Sequence, residues 1–196
     1  MTTLPLKDVP LRYRKATGKI YFKVSDLLRF PEWPESPLIE LIEGDLYLVS
    51  SPTPQHQAIS SEILYQIKAF LRKNPVGQVF CAPIDVVLSE EDSVIPDITF
   101  IGKEQQEIIK EKNIQGAPLW IIEIVSTNRE LDYTVKKRLY ARFGVKEYWI
   151  IDHKKQKIVK YILKKKSSYL AEEFPFTAAI PVSNIKGLSI QLKGLF

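Results

Sequence analysis

With 196 residues, 45% of them hydrophobic, the chain fits one globular domain that buries roughly 70% of its unfolded surface without disulfide staples. Its one cysteine excludes an internal bridge, and no run approaches the ~18 apolar residues of a membrane span. The net charge of +5 allows a polyanionic partner without requiring one, and the opening MTTLPLKDVPLRYRK lacks an apolar signal region, so a cytoplasmic protein is expected.

In chain order, the first segment gives no periodic pattern. KVSDLLRF then reads as a short helix with Ser25 as its N-cap, and WPESP breaks regular structure. LIELIEGDLYLVS, residues 38–50, predicts two strands around a tight turn at Glu43-Gly44-Asp45. Thr53 caps and Pro54 opens a helix over 55–72, in which Ile59, Ile63, Ile67, Phe70 and Leu71 recur at helical spacing; Asn74-Pro75 ends it. GQVFCAPIDVVLS is β-rich and makes Cys81 a small buried residue; the polar turn EEDS and a second β run, VIPDITFIG, follow. KEQQEIIKEKNIQG fits a short helix or a loop. APLWIIEIVS has the continuous β-branched character of a strand covered on both faces. From Arg129 to Phe143, Leu131, Val135, Leu139 and Phe143 form one apolar helical stripe, stopped by Gly144. KEYWIID and KIVKYILK form a hairpin, and the tail adds one or two short strands. The sum is one α/β domain with a mixed sheet.

The chemistry starts from Glu123. In a two-faced strand its side chain shares a side with Ile121 and Val125, where an unpaired carboxylate would cost several kcal/mol. Protonation, a buried partner or a cation can relieve that cost. Asp97 opens the preceding apolar run right after Pro96, so neighbouring strands would bring the two carboxylates to one end of the sheet. At such range one must protonate, or both must hold a metal. Only hard oxygens are on offer, with no Cys/His cluster, which suits Mg²⁺ or Mn²⁺ rather than Zn²⁺. The following helix carries Asp132, Lys136 and Tyr140 one turn apart. Alone, Asp132 and Lys136 would be a surface ion pair worth ~0.3 kcal/mol. Together with a metal-held carboxylate pair, the ammonium group completes an apparatus for hydrolysing a phosphodiester.

Basic residues gather in two places. Lys136, Lys137, Arg138 and Arg142 share the helix, while Lys154, Lys155, Lys157, Lys160 and Lys164 to Lys166 fall in the next hairpin. A solvated lysine face is the plain reading. Contact with a nucleic-acid backbone is the alternative.

Pro96-Asp97, Glu123 within WIIEIVS, a helix with Asp132, Lys136 and Tyr140, and then GVKEYWIID resemble the Uma2 family, formerly DUF820 and abundant in cyanobacteria. The likeness runs from about Leu38 to Asp152, with LIELIEGDLYLVSSPTPQHQ similar to its hairpin and helix start. It implies the PD-(D/E)xK, restriction-endonuclease-like fold: a mixed β-sheet flanked by helices, here with an N-terminal hairpin and C-terminal β additions. It further implies Asp97 and Glu123 as metal ligands and Glu40 as a further ligand or water-holding carboxylate. Lys136 would be the catalytic lysine, with His56 and Gln57 supporting at the helix start. Asp85 and Ser126 would support the ligands from behind, Asp85 being equally a turn or edge residue, and Tyr140 either packs or supports. One departure stands out: Val125, two residues after Glu123, is not the lysine of the superfamily pattern.

The leading expectation is a Mg²⁺- or Mn²⁺-dependent endonuclease acting on DNA. A second is a non-catalytic nuclease-fold module that binds nucleic acid or a protein partner. A third, a two-carboxylate glycosidase, has only the scattered Trp33, Trp120 and Trp149 behind it. A homodimer would suit paired cuts in two strands, with EYWIID as edge strand or as an internal one.

Overall fold

The computed structural model describes residues 12–27, 29, 38–125, 128–164 and 167–195. Its centre is a six-stranded sheet in the order Tyr169–Pro175, Lys157–Leu163, Glu147–Asp152, Trp120–Ile124, Ile98–Gly102, Gly77–Cys81. Only the pair Trp120–Ile124 and Glu147–Asp152 is parallel, so the sheet is mixed. Strand Trp120–Ile124 is buried along its whole length, as its unbroken apolar and β-branched composition predicts.

Both faces of this sheet are covered. On one face lies helix Pro54–Leu71, whose Ile59, Ile63 and Ile67 meet Phe100, Trp120, Trp149 and Ile151 together with the C-terminal strands Ala179–Pro181 and Ser189–Gln191. The helix begins as expected, with Pro54 in its first turn and the Thr53 hydroxyl accepting from the His56 backbone N–H at 3.2 Å. On the other face lie helical residues 129–143 and a five-stranded sheet containing hairpin strands Ile39–Ile42 and Asp45–Leu48. That hairpin turns at Glu43 and Gly44, both at positive φ (53° and 79°), with Asp45 already in the second strand.

The two β-rich runs resolve into separate strands, and several other expectations are corrected. GQVFCAPIDVVLS is two strands, Gly77–Cys81 and Val86–Ser89, in different sheets, interrupted at Pro83, which has no N–H to give a ladder. VIPDITFIG divides likewise, Val94 ending one strand and Ile98 starting another across Pro96. Cys81 is exposed, because it ends an edge strand. Ser25 lies inside the short helix Val24–Leu27, and the Asp26 carboxylate accepts the Lys23 N–H at 2.8 Å instead. The tail forms three strands, not one or two. EYWIID is internal, flanked on both sides, so it is no edge for pairing copies. Lys160 of the basic hairpin turns inward, 3% exposed, and donates to the Pro181 carbonyl at 2.7 Å, while Lys157 pairs with Glu173 at 2.7 Å. Trp120 and Trp149 pack edge to face in the core, 4.9 Å apart, and form no sugar platform. WPESP, Trp33, Ser126, Lys165 and Lys166 lie outside the described residues. Among the described residues no helix is long and apolar enough to cross a membrane.

Candidate functional site

Strands Trp120–Ile124 and Glu147–Asp152 run parallel, and beyond their C-terminal ends opens a cavity of ≈ 860 Å³. Crevices at such strand ends are where open α/β sheets bind ligands. Glu40, Asp97, Glu123, Asp132 and Lys136 all line it, although they come from three different elements and one loop.

Each is delivered by its local structure. Glu123 points to the Ile121 and Val125 side of its strand. Glu40 arrives from hairpin strand Ile39–Ile42, where its Oε1 accepts the Ile95 N–H at 2.8 Å. Asp97 precedes strand Ile98–Gly102, and its Oδ2 accepts the Ile124 N–H at 2.7 Å, which ties it to the residue after Glu123. Asp132 and Lys136 sit on Leu131–Lys136, a π-helical turn of the kind often found at functional sites, before Lys137–Phe143 continues as α-helix. The helix presents Asp132, Lys136, Leu139 and Tyr140 to the interior, while Leu131, Val135 and Phe143 are only half-buried. Asp132, Lys136 and Tyr140, one turn apart, are therefore on the helix's most buried side.

Lys136 does not form the surface pair with Asp132. Its Nζ reaches Glu40 Oε1 at 2.8 Å and Glu123 Oε1 at 3.0 Å. The Tyr140 hydroxyl donates to the same Glu123 oxygen at 2.7 Å. Glu40, Glu123, Asp132 and Lys136 are all 5% exposed or less. His56 Nε2 stands 3.1 Å from Asp97 Oδ2.

Electrostatics make the site over-acidic. With His56 protonated, four carboxylates (Glu40, Asp97, Glu123, Asp132) face three cations, Lys136, His56 and the exposed Lys154. Burial pushes the Glu123 carboxyl far above the usual range; Lys136 opposes this, but Asp97, Asp132 and Glu40 add to it. Asp132 is pushed up to about 6, first by burial, with Lys136 again offsetting only part and Asp97 and Glu40 adding. Burial pulls the Lys136 ammonium down, yet Glu123, Glu40 and Asp132 outweigh it and keep the group charged. Burial likewise pulls His56 down, and the hydrogen bond and charge of Asp97 more than restore it.

A hard divalent cation fits this donor set. Among the described residues, hydrogen bonds to Glu123 land on Oε1 and those to Asp97 on Oδ2, leaving Glu123 Oε2 and Asp97 Oδ1 for another partner. No three His, Cys, Asp or Glu side chains among the described residues are already grouped to hold an ion. Glu123 Oε2 and Asp97 Oδ1 could hold a Mg²⁺-type ion only with water or phosphate oxygens completing its shell.

Of the other expected residues, Gln57 lines the cavity and Tyr140 supports Glu123 from behind. Asp85 is not drawn in: it is exposed, and its carbonyl accepts the Ile114 N–H at 2.9 Å, joining two strands of the second sheet. Lys154, expected in the basic hairpin, lines the cavity too, and beside it stands His153, which was not singled out in sequence. The signal for His153 was slight: one of only two histidines directly follows an apolar strand that runs parallel to the Glu123 strand.

Residues 24–193 match the Uma2 family model, described as "Putative restriction endonuclease". Among solved structures, a protein from Anabaena variabilis ATCC 29413, described as "a putative nuclease belonging to DUF820", superposes with a TM-score of 0.72 at 25% identity. The match covers 89% of this chain and 97% of that one. No curated protein matches.

Proposed function

Because the chain belongs to the Uma2 family, we propose that it is a metal-dependent endonuclease that hydrolyses phosphodiester bonds in DNA. The observation that carries this reading is the excess of buried carboxylates, with Glu123 Oε2 and Asp97 Oδ1 open beside a locked lysine. Mg²⁺ or Mn²⁺ held there would neutralise the carboxylates, bind the scissile phosphate and lower the pKa of water.

The chain's own residues then divide the remaining work. Glu123 and Asp97 are the metal ligands, the first braced by Tyr140 and Lys136, the second by His56 and the Ile124 N–H. Lys136, held charged between Glu40 and Glu123, offsets the negative charge that develops on phosphorus-bound oxygens as water adds and the ester P–O bond breaks. That role needs no lysine at position 125, because the helix delivers one to the same carboxylate. Glu40 positions the ammonium and carries no step of its own.

Calorimetric titration of Mn²⁺ into wild type and Asp97→Asn tests the metal site without a known substrate. Binding by the first and at least about tenfold weaker binding by the second is expected, the loss of one charged ligand being worth a kcal/mol or more. Equal affinity in both removes Asp97 from the site. Cleavage of plasmid DNA with Mg²⁺, abolished by EDTA, tests the reaction. Metal binding without cleavage would favour the non-catalytic module.

A further inference from the structure

We propose that His153 and Lys154 form a phosphate-binding edge of the cavity, gripping a phosphate group of the substrate beside the carboxylate floor. Both lie on the turn after strand Glu147–Asp152, and both line the same cavity as Asp97 and Glu123.

This turn is built, not merely present. Asp152, fully buried, anchors it: its carboxylate accepts Arg129 Nη1 at 3.0 Å, the Tyr133 hydroxyl at 3.0 Å and the Lys155 N–H at 3.2 Å. Arg129 and Tyr133 belong to the helical segment that carries Asp132 and Lys136. One carboxylate therefore fixes the turn and the lysine-bearing helix as a unit. At the far end of the turn, the Gln156 carbonyl accepts the Phe176 N–H at 3.2 Å.

The side chains that this frame presents have unspent donor capacity. Among the described residues His153 forms no side-chain hydrogen bond; its Nδ1 is buried and unpartnered, so Nε2 of the half-buried ring is the nitrogen that can meet a ligand. Lys154 is exposed and forms no ion pair among the described residues. The Lys154 ammonium repels a cation at this edge, and together with an imidazole N–H it suits an anion with oxygens to spare on more than one side. Burial and the neighbouring Lys154 charge hold the His153 imidazole down, against a smaller opposing pull from Asp152, so at neutral pH it enters as a neutral N–H donor. His56 and Arg129, the other charged groups it senses, act in the same direction. Choosing phosphate over other anions rests on the nuclease reading.

The chain has two histidines, so imidazole nitrogen–proton correlation spectra hold two sets of signals, assigned with His56→Gln and His153→Gln. Thymidine 3′,5′-bisphosphate is titrated into the protein with Mg²⁺, followed by these spectra and by calorimetry. We expect the His153 signals to move and the dissociation constant to rise about tenfold or more in His153→Gln/Lys154→Gln, two charge-assisted contacts being lost. Both positions are on a turn and Lys154 is exposed, and Lys154→Glu, a purely surface change, should weaken binding further. No binding by wild type, unchanged affinity in the double variant, or movement of the His56 signals alone would overturn the proposal. Bisphosphate binding through His153 and Lys154 in a protein that leaves DNA uncut would uphold the phosphate edge while the nuclease reading fell.

Discussion

Two buried glutamate–lysine pairs lie on opposite faces of the central sheet, and only one of them borders the cavity. Glu147 points to the Trp120 and Trp149 face, fully buried. Its Oε1 accepts the Trp149 indole N–H at 2.8 Å and the Ser183 N–H at 3.2 Å; its Oε2 accepts the Asn184 N–H at 3.2 Å and side-chain amide at 3.0 Å. Lys160 stands 3.8 Å away and donates one N–H to the Pro181 carbonyl at 2.7 Å. Every acceptor is used, and the pair staples the C-terminal segment to the sheet. Glu123 has the same partner type at 3.0 Å, but its hydrogen bonds from described residues crowd onto one oxygen, and three more carboxylates stand near. A satisfied buried carboxylate is structure. One left with an open oxygen at a cavity, among like charges, is disposed for a ligand.

The largest expected effect tests the structural pair. Glu147→Ala removes four hydrogen bonds and strands Lys160 in the core, so it should cost about 3–5 kcal/mol in denaturant unfolding at neutral pH. A loss below about 1 kcal/mol would mean that saturation does not hold the C-terminal segment.

Next in size is Asp132, where repulsion in the site should appear as a pH effect. Its carboxyl titrates at about 6 in the folded protein against about 3.9 unfolded. Between those values the folded state holds the extra proton, so wild-type stability falls as pH rises through the window and stays low above it. Asp132→Asn in EDTA should therefore be more stable than wild type by about 1–3 kcal/mol at pH 8, a gain that fades towards pH 4. A gain independent of pH would assign the effect to packing rather than charge. Added Mg²⁺ should narrow the gap by stabilising wild type alone.

Much of this contrast could be read in the sequence, and the unread part has physical causes. Glu123 was conspicuous because a charge in an unbroken β-branched strand has few ways to be tolerated. Lys136 was legible as a neighbour of that strand, but its partners were not: four-residue spacing pointed to Asp132, while the real contacts come from Glu123, 13 residues away, and from Glu40 on the second sheet. Helical spacing reports local neighbours only, and here a π turn alters even those. Glu147 gave no signal in the sequence, because its partners Ser183 and Asn184 lie in the tail and no local pattern announces them. Lys160 was counted as surface for the same reason. Cys81 failed differently: apolar neighbours suggested burial, whereas an edge position left it exposed.

The smallest expected effect on stability belongs to the residue with the largest expected effect on function. In Glu123→Gln the amide oxygen still accepts from Tyr140, Lys136 keeps Glu40 at 2.8 Å, and Asp97 and Asp132 lose a like-charged neighbour. The lost attraction to Lys136 and the relieved repulsion are both electrostatic terms in the same desolvated space, so they should nearly cancel. Thermal and urea unfolding should shift by no more than about 1 kcal/mol, in contrast to Glu147→Ala, while Mn²⁺ binding is lost. If Glu123→Gln instead unfolds as readily as Glu147→Ala, the two pairs are of one kind, and the open oxygen of Glu123 no longer argues for a metal at this site.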